Sequence, residues 1–269
     1  MICDIIYDVY LCKYTNFEVF ESNRAGETMY DIHCHIIPYV DDGSGSIIDS
    51  VEMASLAAKA GVKAIIATPH SNIPDIFENY WNDSFDQKLL TLNTELSKRE
   101  IDIKIYPGQE IFYHGDILAK LRSDELITLN KSRYALLEFD FKTPEAEAYS
   151  VVKELVSVGY VPIVAHPERY AFAFENSASI LKLKKCGALI QLNAQSIIGG
   201  FGRYPKLVAE YILENELADF VASDAHSQYT RTPDMSEAHE FVCGKYSYEY
   251  ADILFSENPF KVIKNIEIR

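Results

Sequence analysis

Residues 29–43 read MYDIHCHIIPYVDDG, the alternation of an extended strand running into a turn. Successive side chains of a strand point to opposite faces. Asp31, His33 and His35 are therefore expected on one face, with Ile32, Cys34 and Ile36 on the other, against helices. Two imidazoles at one strand end can hold a metal ion, and Cys34 is then turned away from it. Asp41 and Asp42 both suit a turn ahead of Ser46; Asp41 is assigned that role, and Asp42 is preferred as a ligand.

From this segment onward, short apolar runs alternate with stretches of helical period, as in successive parallel βα units. Strands are expected at 31–34, 63–67, 103–106, 135–139, 161–165, 188–192 and 219–222. Ser46 can cap a helix whose stripe is Ile47, Val51, Ala54 and Ala58 and which Gly61 can end. Phe85, Leu89, Leu92 and Leu96 form a second stripe, and Val151, Val152, Leu155 and Val156 a third. Seven units in 269 residues favour a closed or nearly closed α/β barrel over an open doubly wound sheet.

A net charge of −15 repels a nucleic-acid backbone, and no basic patch offsets it. No apolar run approaches the ~20 residues that span a bilayer, and the N-terminus lacks a basic n-region. The reading is a cytoplasmic protein that binds no nucleic acid and has no membrane span. The five cysteines are unclustered and contain no CxxC, which argues against a disulfide framework or a structural zinc knot.

In α/β barrels the loops that follow the strands converge on one mouth, where chemistry collects. Here His33 and His35 follow strand one, His70 strand two, Glu110 strand three, His166 strand five, and Asp224 and His226 strand seven. Strand four carries Glu138 in YALLEF, above Leu136, where an unpaired carboxylate calls for a cation. Pro69 restrains Thr68 just before His70, and Pro167 restrains His166 toward an extended backbone. His114 and His239 fall outside this pattern and are read as surface or loop residues. Imidazoles and carboxylates without thiolate suit manganese, iron or zinc. The set is too rich for one ion; two or three ions ~3.5–4 Å apart could clamp a phosphate.

Other chemistries are excluded by spacing. A cysteine-dependent phosphatase needs Arg six residues after its Cys, and the residues found there are Val9, Glu18, Val40, Leu192 and Glu249. HExxH and GxSxG are absent, and GGFG at 199–202 matches no phosphate-cradle spacing, so it is read as a turn.

The ordered motifs DIHCH, DDG, ATPH, GQE, YALLEF, AHPERY and VASDAH resemble the polymerase and histidinol phosphatase (PHP) superfamily. Within it they are most similar to the bacterial capsular-polysaccharide branch of manganese-dependent tyrosine-protein phosphatases, over about residues 29–265. The resemblance implies a distorted (β/α)7 barrel with three divalent ions, most often Mn2+ with iron or zinc as alternatives. The implied substrate is phosphotyrosine on the tail of a bacterial tyrosine kinase that controls polysaccharide assembly. It implies one ion on His33, His35, Glu110 and Asp224, a second on Glu110, Glu138 and His166, and a third on Asp42, His70 and His226. Arg169 and Arg231 match phosphate-binding positions of the branch.

On that assignment, four carboxylates against three divalent ions leave roughly +2, matching a phosphomonoester dianion. Water is then the nucleophile, with no covalent phosphoenzyme. Histidinol phosphatases and amidohydrolase-type barrels are the rival readings, since the latter also place HxH after strand one. Residues 1–28 have no counterpart in the branch. They are expected to be a disordered or non-native extension ahead of a single domain at 29–269.

Overall fold

The computed structural model describes residues 28–268, so the expectation for the N-terminal extension lies outside the described residues except at Thr28. Among the described residues there are nine strands: β1 (Met29–Cys34), β2 (Val62–Ala67), β3 (His70–Ser71), β4 (Lys104–Pro107), β5 (Glu110–Phe112), β6 (Tyr134–Glu138), β7 (Val161–Ala165), β8 (Leu189–Asn193) and β9 (Phe220–Ala222). All pairs are parallel, in the orders β1-β2-β4 and β3-β5-β6-β7-β8-β9.

The expected seven strands survive as seven staves, because β3 continues β2 beyond Thr68-Pro69 and β5 continues β4 beyond Gly108-Gln109. His70 and Glu110, expected beyond strand ends, open these short continuations and pair with each other in register. A two- or three-residue strand has no periodicity to read, and Pro69, lacking an N–H, reads as an end. Gly108 is required at the second break, since a Cβ there would lie 2.6 Å from Ile66 Cγ2.

The ring closes between β1 and the loop after β9. Asp224 N donates to His33 O at 2.8 Å and His35 N to Ala225 O at 2.8 Å. Inside the ring, Ile32, Ala64, Ile66, Leu136, Ile163 and Phe220 form one apolar cluster. The C-terminal helix Asn258–Ile263 adds Val262 and Ile263 to it, and Tyr134 Oη donates to Ile266 O at 2.6 Å. Alternate residues such as Ile65, Ile105, Leu137 and Val164 face the helical shell.

That parity corrects the reading of β1. Asp31 pairs with Ile65 but Cys34 with Ala67, so one extra residue bulges between them. Ile32 therefore joins the interior rather than the helix side, while Cys34 packs outward as expected. Asp31 is displaced from the mouth and is fully buried at the closing seam. It accepts from Ser223 Oγ at 2.5 Å, Ser223 N at 3.1 Å and His33 N at 3.2 Å. Burial raises its carboxyl to about 6 in spite of these donors.

Three helices of the shell follow the sequence pattern. In α1 (Ile47–Lys59) Ser46 Oγ accepts from Asp49 N at 3.1 Å, and Gly61 follows the helix with φ +96°. In α2 (Asp83–Lys98) Phe85, Leu92 and Leu96 are buried. In α3 (Glu145–Ser157) Val151, Val152 and Leu155 are buried, but Val156 is exposed, one position past the inward stripe. Among the described residues no helix is long and apolar enough to cross a membrane.

The seam generates a stability prediction. Ser223→Ala removes the hydroxyl donor from a buried carboxylate and should lower stability by about 1–3 kcal/mol. Urea denaturation followed by circular dichroism reads this, and an unchanged midpoint would count against the seam's role.

Candidate metal centre

Nine side chains that could bind metal meet at the mouth formed by the strand C-termini. His33 closes the bulge of β1 and His35 follows it, while His70 and Glu110 open β3 and β5. Glu138 ends β6, His166 follows β7, Asp224 and His226 follow β9, and Asp42 comes from the loop after β1. Their donor atoms fall into four overlapping groups: His33, His35 and Asp224; His33, Glu110 and His166; His70, Glu110 and Glu138; and His35, Asp42, His70 and His226.

Glu110 is central. Its Oε1 is 2.9 Å from His166 Nε2 and 3.2 Å from His33 Nε2, and its Oε2 is 2.9 Å from His70 Nδ1 and 3.4 Å from His35 Nε2. Asp224 Oδ1 stands 3.4 Å from both His33 Nε2 and His35 Nε2. Asp42 Oδ1 lies 3.4 Å from His226 Nε2 and 3.6 Å from His70 Nε2. Glu138 reaches His70 Nδ1 at 3.5 Å and His166 Nε2 at 3.8 Å.

This donor set fits cations. Glu110 Oε2, Asp224 Oδ1, His70 Nδ1 and His226 Nε2 are buried, yet none makes a hydrogen bond of acceptable geometry despite the close neighbours. Convergent buried polar atoms without well-formed hydrogen bonds are costly unless positive charge joins them. The ionisation pattern agrees. Burial alone would raise the Glu110 and Asp224 carboxyls, but His33 and His70 around Glu110, and His33, His35 and Arg231 around Asp224, hold both well below the usual range. Burial pulls His70 down and His35 repels its charge, yet Glu110 and Glu138 lift it to about 10. Burial and the neighbouring His35 push His226 down to about 4.

Supporting residues fix the imidazoles. The Asp41 side chain is buried, and its Oδ2 lies 2.8 Å from His35 Nδ1 and accepts from His70 N at 2.9 Å. The turn role expected for Asp41 is therefore incomplete: it does accept from Gly43 N at 3.0 Å, but it also orients His35. Gln191 Oε1 lies 2.9 Å from His33 Nδ1. Gln191 Nε2 donates to Asn193 Oδ1 at 2.9 Å, and Asn193 Nδ2 to Asp224 Oδ2 at 2.6 Å. Acceptors at the Nδ1 of His33 and His35 keep the proton there and leave Nε2 for the centre. Strand β8, which supplies none of the nine, thus contributes this amide pair. Its signal in the sequence is two polar residues of like parity in LIQLN.

Arg169 and Arg231 converge on the same carboxylate. Arg231 Nη2 is 2.6 Å and Arg169 Nη1 is 3.4 Å from Asp224 Oδ2. The backbone expected for His166 is corrected: it is left-handed (φ 34°, ψ 52°), not extended. Pro167 disfavours only the right-handed region at His166. The tight turn Pro167–Arg169, with Arg169 N bonded to His166 O at 3.0 Å, carries Arg169 back over the mouth. Outside the centre, His114 is exposed as expected. His239 is instead buried, its ring 5.1 Å from that of Phe255, because it lies on the inward face of Ser236–Lys245.

A seven-stave parallel barrel with histidines and carboxylates gathered at its C-terminal mouth defines a metal-dependent hydrolase of the PHP and amidohydrolase architecture. The family model "Capsular polysaccharide synthesis, CpsB/CapC" matches residues 29–264, and the chain belongs to that family. It is 37% identical over 243 residues to tyrosine-protein phosphatase YwqE of Bacillus subtilis, covering 89% of this chain and 91% of the relative. It is 33% identical over 240 residues to tyrosine-protein phosphatase CpsB of Streptococcus pneumoniae, covering 87% and 98%. Among solved structures, one from the pair YwqE of B. subtilis and CpsB of S. pneumoniae, described as unique metal-dependent tyrosine phosphatases, superposes with TM-score 0.84 at 36% identity over 90% of this chain and 96% of that one. The phosphotriesterase homology protein of Escherichia coli superposes with TM-score 0.58 at 12% identity, covering 86% and 97%, which shows the fold alone.

Two measurements test the centre itself. His70 is raised to about 10 and therefore holds a proton at pH 7, and His33 and His35 are raised as well, so metal binding must displace protons. Affinity for manganese should therefore rise as pH rises through neutrality, and the calorimetric enthalpy at pH 7 should vary with the buffer's ionisation enthalpy; a buffer-independent value would refute this. Asp41→Asn should weaken metal binding about 10- to 100-fold, as outer-shell partners typically do.

Proposed function

We propose that this protein is a metal-dependent protein-tyrosine phosphatase acting on phosphotyrosine of a bacterial tyrosine kinase that governs capsular or extracellular polysaccharide synthesis, in the cytoplasm. Its centre takes three divalent ions, Mn2+ by preference. His33, His35, Glu110 and Asp224 serve the first, Glu110, Glu138 and His166 the second, and Asp42, His70 and His226 the third. The observation that carries the reading is Asp224, whose one oxygen faces the imidazoles while the other faces two arginines. A phosphate placed between these cationic groups meets both at once.

When bound, the ions polarise the phosphoryl oxygens and lower the pKa of water toward ~7. The chain supplies the rest. Glu110 and Asp224, buried and ionised, fix where cations sit. Arg169 and Arg231 offer N–H donors to the equatorial oxygens, whose charge grows in the transition state. The leaving phenolate, with a conjugate-acid pKa near ~10, needs less protonation than an alkoxide. Cys34 takes no part: burial raises its thiol well above the ordinary range, with Asp31 adding to that, and it packs on the helix side of β1. Assignment to a capsular pathway follows the family; acidity and the nearby arginines favour a phosphopeptide over nucleic acid.

Turnover of a phosphotyrosine peptide should vanish with a chelator, return with manganese, and persist after thiol alkylation. Cys34→Ser should keep most activity. His35→Ala and Glu110→Gln should lose more than the roughly 10- to 100-fold typical of an outer-shell partner. Full activity in metal-stripped protein would refute the reading.

A further inference from the structure

The GGFG stretch, Gly199–Gly202, is more specified than a turn requires. Gly199 and Gly202 have φ of +90° and +92°, a region that L side chains rarely adopt. A Cβ at Gly200 would displace the Gln195 side-chain tip and lie 3.3 Å from the Gln195 carbonyl oxygen. Gly200 N donates to Gln195 O at 2.7 Å and Gly202 N to Gly199 O at 3.0 Å, closing the loop on itself. Two of its four positions thus demand glycine, and Phe201 is the one side chain that it displays. That ring has its centroid 4.8 Å from Arg169 Cζ and 5.7 Å from Arg231 Cζ. Phe141, in the loop after β6, also stands 4.8 Å from Arg169 Cζ, and its carbonyl accepts from Ala171 N at 2.8 Å.

We propose that Phe201, mounted on this glycine loop, is a positioning residue that holds Arg169 and Arg231 for the substrate's phosphate, with Phe141 as a second flank to Arg169. The proposal rests on the reading of both arginines as phosphate ligands. An aromatic face attracts a guanidinium through its quadrupole without occupying its N–H donors. A second carboxylate in that place would consume those donors and cancel the charge offered to phosphate. Asp224 draws both arginines toward the centre through one oxygen, and the rings restrain the guanidinium groups there without competing for the ligand.

The test compares manganese-loaded wild type with Phe201→Ala, Phe201→Leu, Phe201→Trp, Arg169→Ala and Arg231→Ala. Four quantities are read: the calorimetric Kd for orthophosphate, KM and kcat for a phosphotyrosine peptide, and bound metal per chain. Phe201→Ala and Phe201→Leu should raise Kd and KM together by about two- to thirtyfold. Their kcat/KM should fall at least as far, because both arginines also face the equatorial oxygens of the transition state, while metal content should be unchanged and Phe201→Trp should restore binding. Phe201→Leu fills similar space, so it reports even if the alanine variant fails to fold. A leucine variant with wild-type orthophosphate affinity, beside an Arg169→Ala variant that has lost it, overturns the proposal. So does loss of bound metal with Kd unchanged, the signature of a merely structural ring. If neither arginine variant weakens orthophosphate binding, the phosphate reading itself fails and this proposal with it.

Discussion

Asp224 is a fully desolvated carboxylate contacted on both oxygens. Its Oδ1 sits among His33, His35 and His226, and its Oδ2 takes Asn193, Arg231 and Arg169. A buried charge of this kind is tolerated only when its partners are held in place. The partners come from β1, β8 and the loops after β7 and β9, so the carboxylate cannot be satisfied until those staves are assembled. The backbone N–H of the same residue bonds His33 O across the closing seam. Barrel closure and assembly of the centre are therefore one event, and the imidazoles and arginines are coupled through a single side chain.

The sequence exposes the centre because its chemistry is charged and its positions are strand ends. Seven recurrent apolar runs mark the staves, and imidazoles or carboxylates directly after them mark the mouth. What stays hidden is of three physical kinds. The bulge at β1 adds one residue without changing composition, so parity misplaces Asp31 and Ile32. β3 and β5 are too short to show a period, although His70 and Glu110 depend on them for alignment. Neutral or ambiguous polar residues, namely Gln191, Asn193 and Asp41, orient ligands without looking like ligands, and two adjacent aspartates give no hint of which one turns inward. His239 shows the converse: an imidazole on a helix can be packing material.

Backbone strain occurs in several turns of the chain, and three of these turns carry side chains of the site. His166, Asp224 and Arg231 have φ of 34°, 51° and 50°, conformations that cost a non-glycine residue about 1–3 kcal/mol each. Glycine would relieve the strain and delete the side chain. Each strained turn is instead held by backbone hydrogen bonds: Arg169 N to His166 O at 3.0 Å, Asp224 N to His33 O at 2.8 Å and His226 N to Arg231 O at 2.9 Å. In the GGFG loop the arrangement is reversed. There glycines take the difficult dihedrals, and the single intervening residue is left to present its ring.

The overall charge of −15 looks unfavourable for an enzyme of phosphate esters, since the body of the protein repels a dianion. The same field makes the mouth selective. Fields of a low-dielectric cleft are set by the charges nearest to it, and screening over ~8–10 Å removes most of the distant acidic surface. Two arginines and a cation-binding cluster at the strand ends therefore dominate at contact range. A phosphorylated segment is discouraged from resting on the acidic surface and is attracted at the site where it can react. Specificity for a phosphoryl group follows from this contrast in charge as much as from the shape of the pocket.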